Sequence, residues 1–172
     1  MTFSLLTNRN FRLLWLAQIA ATLGTELYNV AVIVTVFQGT GSVLQTTGVV
    51  VARMAPSLFL GQMAGALVDR YPRRLVMLTV NLFRAAIIAV TATLPSVWVA
   101  IPWVGYCVVV ALAVAEILYL PAQRALTPTL VEPSKLVSAN SLIYTATPLT
   151  QGISRALGAL ILLLGFGAVI TA

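Results

Sequence analysis

Five apolar stretches, each near or above the length that crosses a bilayer, decide what this chain can fold into. They cover residues 11–37, 43–68, 75–94, 97–120 and 142–164. A helix rises about 1.5 Å per residue, so about 20 apolar residues span a hydrocarbon core roughly 30 Å thick. With 60% hydrophobic and 8% charged residues, a water-soluble fold would have too little polar surface to cover such a core, which leaves lipid as the solvent. The expected fold is all-α, a polytopic transmembrane helix bundle forming one domain over residues 1–172.

The breaks between the stretches carry turn chemistry. Gln38 to Ser42 holds Gly39 and Gly41, Asp69 to Arg74 holds Pro72, and Pro95-Ser96 follows the third stretch; each is short, which makes neighbouring spans antiparallel. Residues 121–140 carry Pro121, Pro128 and Pro133 with Arg124, Glu132 and Lys135. They read as a polar connection with a partly helical surface segment. After Leu164, Gly165-Phe166-Gly167 reads as a turn and 168–172 as the start of a sixth helix, after five complete ones. Gly61 and Gly65 form a GxxxG step suited to close helix packing.

Ten Lys plus Arg against four Asp plus Glu give a net charge of +6. Arg9 and Arg12 precede the first span, Arg70, Arg73 and Arg74 separate the second and third, and Arg124 and Lys135 lie between the fourth and fifth. The opposite-side loops carry none, so the positive-inside rule puts the N-terminus in the cytoplasm and spans one, three and five running outward. Phe11, Trp15 and Tyr119 fit as inner aromatic anchors, and Trp98 and Trp103 as outer ones. The first run reaches Phe37 with no cleavage site, as an uncleaved first helix does.

Topology accounts for the basic residues, so no nucleic-acid partner is expected. Cys107 is the single cysteine and histidine is absent, which removes disulfide frameworks, CxxC metal sites and the commonest proton shuttle. No glycine-rich phosphate loop and no nucleophile–base constellation is present. Neither a catalytic site nor a cofactor or metal is expected.

Five ionisable residues fall inside the spans: Glu26, Arg53, Arg84, Glu116 and Arg155. A central charge costs roughly 2.5–3.5 kcal/mol on insertion scales, so these side chains should face a bundle interior or a watery cavity. Each either pairs across helices and fixes packing or lines a path for a small-molecule substrate and protons. Glu26, Glu116 and Asp69 are the candidate proton carriers.

The stretch Gly65-Ala66-Leu67-Val68-Asp69-Arg70-Tyr71-Pro72-Arg73-Arg74 resembles the loop signature of the major facilitator superfamily, Gly-x-Leu-x-Asp-Arg-x-Gly-Arg-Arg. Pro72 stands where that pattern has its second glycine. The resemblance implies a gating loop of Gly65, Asp69, Arg70, Arg73 and Arg74, in which the Asp69 carboxylate exchanges charge-assisted bonds as domains rock. Arg124 is a candidate partner for Asp69. Pro121 to Val131, followed by Lys135 to Ser141, looks like the drug and siderophore exporter branch, which includes macrolide-efflux-like and enterobactin-exporter-like proteins. At the fifth span, where many exporters carry Gly-Pro and then paired glycines, the sequence reads Ser154-Arg155-Ala156-Leu157-Gly158-Ala159, a departure from the antiporter signature.

The resemblance extends from Asn8 to about Phe166, half of a twelve-helix pattern. It implies a truncated N-terminal half of a secondary transporter in the bacterial cytoplasmic membrane. With its missing C-terminal half, the parent would export a small amphipathic molecule by proton exchange at a midplane site. The alternatives are a proton-coupled importer and a small non-transporting membrane protein that serves as an assembly partner.

Overall fold

A computed structural model describes residues 3–93 and 102–170, with side chains described for 5–93 and 103–161. The expected turn at Pro95-Ser96 and the anchor Trp98 lie outside the described residues. Helices follow in the order α1 Phe3–Thr7, α2 Arg9–Thr40, α3 Val43–Val68, α4 Arg73–Ala92, α5 Pro102–Leu130, a 3-10 turn Pro133–Lys135 and α6 Leu136–Ile170. No strand occurs among the described residues.

Local chemistry sets the ends. Asn8 Oδ1 accepts the backbone N–H of Asn10 at 3.0 Å and of Phe11 at 3.4 Å, separating α1 from α2. Gly41, with φ of 61°, takes the left-handed turn after α2, and Ser42 caps α3 by accepting from the Gln45 N–H. Asn8→Ala is expected to lower stability by about 1 kcal/mol, read as a lower thermal midpoint in detergent.

Burial differs from that of a soluble protein, with polar side chains sharing the interior with apolar ones. Gln18, Glu26, Asn29, Arg84, Gln123 and Thr150 are buried, while Leu58 and Phe59 of α3 are 77% and 75% exposed. Leu75, Leu78 and Leu82 of α4 are exposed as well. Polar groups inside and large apolar side chains outside is the arrangement that lipid favours. Helices α2, α3, α4 and α5 are long and apolar enough to cross a membrane, and the fifth expected span lies within α6. The protein is a multi-pass, all-helical membrane bundle.

The chain divides into two compact units, Val32–Glu132 and Met1–Ala31 with Pro133–Ala172. In the former, α3 and α4 both pack on α5. Helix α3 runs parallel to α5, because the Tyr106 hydroxyl donates to the Gln45 carbonyl and, further along both, Arg53 meets Glu116. Helix α4 runs antiparallel to α5, because Arg84 lies over Tyr119 whereas Arg73, earlier in α4, reaches Ala125, later in α5. In the other unit α2 and α6 run parallel: Trp15 Nε1 donates to the Leu142 carbonyl at 3.5 Å, Glu26 meets Arg155, and Val30 abuts Gly158.

Several sequence expectations are corrected here. Helix α5 continues past Leu120 through Pro121 and Pro128 to Leu130. A proline removes one N–H and frees the carbonyl four residues earlier, which neighbouring helices and hydroxyls can accommodate. On either side of the Arg124 carbonyl that Pro128 frees, Thr127 Oγ1 donates to the Gln123 carbonyl at 2.8 Å and Arg73 Nη1 to that of Ala125 at 3.3 Å. Helix α6 likewise runs unbroken through Gly165–Gly167 to Ile170, in place of a turn and a new helix. Each glycine weakens a helix by only about 1 kcal/mol, and lipid offers the backbone no alternative partner.

Phe11 and Tyr119 are 0% and 1% exposed, so both are core residues and not interfacial anchors. Gly61 and Gly65 face open space, because the part of α3 that carries them is largely exposed. The glycines at close approaches are Gly48, Gly105 and Gly158.

Candidate functional site

The five intramembrane ionisable residues fall into two groups, one in each unit. In the first, Arg155 Nε of α6 donates to Glu26 Oε2 of α2 at 3.3 Å, with side-chain exposures of 59% and 4%. Glu26 sits beside a polar stripe of Gln18, Thr22, Thr25 and Asn29, whose spacing puts them on one face of α2. Gln18 Nε2 donates to Thr22 Oγ1 at 3.4 Å. Asn29 is buried with neither Oδ1 nor Nδ2 hydrogen-bonded, and Gln18 Oε1 is also without a partner.

From α6, Ser154 Oγ donates to the Thr150 carbonyl at 2.7 Å and Thr147 Oγ1 to that of Ile143 at 3.0 Å. These hydroxyls satisfy themselves against their own helix, which leaves the Asn29 amide and Gln18 Oε1 as hydrogen-bonding groups without partners. The spacing of Gln18, Thr22, Thr25 and Asn29 was visible in the sequence, but only ionisable residues were singled out there.

The second group draws on three helices. Arg53 Nη2 of α3 lies 3.7 Å from Glu116 Oε2 of α5, an ion pair longer than a hydrogen bond. Arg84 of α4 is buried, its guanidinium 5.2 Å from the centre of the Tyr119 ring on α5, within cation–π range. Glu116 and Arg53 both lie within Coulombic reach of Arg84. Arg84 Nε and Nη2, Asn81 Oδ1, the Tyr119 hydroxyl and Gln123 Nε2 are enclosed without hydrogen-bond partners. Asn81 and the Tyr119 hydroxyl face one another, outside hydrogen-bonding geometry. The sequence pointed to Arg53, Arg84 and Glu116; it gave no sign of Asn81 or Gln123.

The loop between α3 and α4 is exposed from Asp69 to Arg74. The Asp69 N–H donates to the carbonyls of Gly65 and Leu67 and so ends α3. Asp69 and Arg124 do not form an ion pair. Arg73 instead clamps this loop to α5 through the Ala125 carbonyl. Arg73→Ala removes that clamp and is expected to speed amide deuterium exchange across residues 124–130, with a stability loss of about 1 kcal/mol. Between α3 and α5 lies an open groove of about 630 Å³, lined by Leu60, Met63, Leu67, Ile117 and Leu118 with Gln62 and Arg70.

Helices with lipid-facing apolar surfaces, a polar and ion-paired interior and a basic loop between α3 and α4 define a multi-pass membrane protein of transporter type. The transmembrane secretion effector family of the major facilitator superfamily matches residues 1–172, and the chain belongs to it. That membership makes it a major facilitator transporter chain and accords with an N-terminal half. No curated protein and no solved structure matches it.

Proposed function

We propose that the chain is the N-terminal half of a proton-coupled exporter of small amphipathic compounds, acting in the bacterial cytoplasmic membrane with its N-terminus inside. The observation that carries this reading is Glu26, a carboxylate 4% exposed in a membrane helix and in contact with Arg155 of another helix. A buried carboxylate beside a releasable cation can take up a proton when the cation leaves, which couples proton movement to rearrangement. The orphaned Asn29 amide and Gln18 Oε1 beside it offer hydrogen bonds to a polar part of a substrate. The gating loop of Gly65, Asp69, Arg70, Arg73 and Arg74, with Arg124 next to the Ala125 that Arg73 reaches, and the path residues Arg53, Arg84 and Glu116 keep their proposed roles.

The test reconstitutes the full-length protein in liposomes and follows export of an amphipathic fluorescent dye under an imposed proton gradient. Glu26→Gln is expected to abolish gradient-driven export while facilitated dye equilibration persists. Export that still follows the gradient in Glu26→Gln would remove Glu26 as the carrier. A wild-type protein that moves dye in neither mode would remove the exporter reading.

A further inference from the structure

We propose that Arg84 is a binding site for the carboxylate of a small organic acid, gripped side-on by the guanidinium edge of Nε and Nη2, an inference that rests on the transporter reading and narrows its substrate class. The two nitrogens left without partners are not an arbitrary pair. Nε–H and the adjacent Nη2–H point the same way and form one edge of the guanidinium fork, which matches the two oxygens of a carboxylate. The face of the same group is occupied by the Tyr119 ring, so the edge, enclosed in the interior, is the part left without a partner.

Charge balance points the same way. Within the apolar spans of this unit two arginines, Arg53 and Arg84, stand against one acid, Glu116. Glu116 is in ion-pair contact with Arg53, and no carboxylate lies within ion-pair distance of Arg84 among the described residues. Arg84, about 16 Å along α4 from Arg73 by helical rise, thus shares the field of Glu116 with Arg53 and has no carboxylate in direct contact. A monoanion would supply that contact. Gln123 Nε2, one turn beyond Tyr119, is a further enclosed donor without a partner, and Asn81 Oδ1, facing the Tyr119 hydroxyl, is the enclosed acceptor; with donors in excess, the cluster suits an anion better than a cation or a neutral amide.

The experiment is equilibrium binding of radiolabelled benzoate to the full-length protein in detergent. Wild type is expected to bind benzoate saturably, with displacement by acetate, far weaker displacement by chloride and none by benzyl alcohol. Arg84→Gln should weaken binding at least roughly tenfold. That substitution also alters a packed interior, so Asn81→Asp supplies the second variant. It keeps Arg84 and provides a carboxylate one turn away on the same helix, and it is expected to abolish benzoate binding without lowering the thermal midpoint.

Binding that survives both substitutions, or an absence of saturable binding in wild type, would overturn the assignment. So would chloride displacing benzoate as well as acetate does, since the site would then be one for simple anions. Benzoate binding is read without transport. Its absence from a wild type that exports removes this site alone, and its presence in a wild type that exports nothing removes the exporter reading alone.

Discussion

Gly158→Leu is expected to keep α2 and α6 from packing, and little folded protein should be recovered from membranes. Even a single methyl at residue 158 would sit 2.9 Å from Val30 Cγ1 and 3.1 Å from Val30 Cβ. Valine is stiff at χ1 and its Cβ moves only with the backbone, so relief requires the helices to separate. Overpacking of this kind costs about 1–3 kcal/mol for small additions, which sets the expectation for Gly158→Ala; leucine exceeds it. Separation would also lengthen the 3.3 Å contact of Arg155 with Glu26, one turn away along the same pair. Val30→Ala removes two of the three close atoms and should recover part of the Gly158→Ala loss, giving a favourable coupling in a double-mutant cycle of thermal midpoints. Strictly additive losses would show that residues 30 and 158 do not touch.

The membrane spans were legible in the sequence because lipid penalises every polar residue in a span, so the apolar runs had to be nearly uninterrupted. Their ends were less legible. Pro121 and Pro128 read as breaks because a proline cannot donate, yet α5 runs through both to Leu130, since each removes one backbone bond and a membrane helix tolerates that loss. The misplaced end of α5 carried Tyr119 with it. Counted from Leu120, it is an anchor at the interface; on a helix that continues to Leu130 it lies inside and supports Arg84.

The candidate site divides similarly. Each intramembrane charge was visible on its own, since an ionisable residue in an apolar run is costly wherever it points. Pairing was not visible, because Glu26 and Arg155 are 129 residues apart and meet only through the register of two packed helices. Neutral polar residues were least visible of all. Asn81 and Gln123 cost little enough in a membrane helix to pass as ordinary, and their weight comes from being enclosed without partners.

Arg155→Met in the full-length protein is expected to cost about 2–3 kcal/mol of stability, below the 3–5 kcal/mol typical of breaking a fully buried pair. The discount comes from exposure. Arg155 is 59% exposed while Glu26 is 4% exposed, so the pair is screened on one side only. The asymmetry fixes the order of the variants. Removing Arg155 takes the cation from beside a buried carboxylate, whereas Glu26→Gln leaves an arginine that reaches outward and should lose less. The double substitution Glu26→Gln with Arg155→Met removes the buried charge and should regain most of the Arg155→Met loss, since a neutral amide asks only for hydrogen bonds. Thermal midpoints of the four proteins, compared at one pH and one detergent, give the coupling directly. A double variant no more stable than Arg155→Met would mean that Arg155 acts through packing of its stem, and that Glu26 draws its stability from its other contacts.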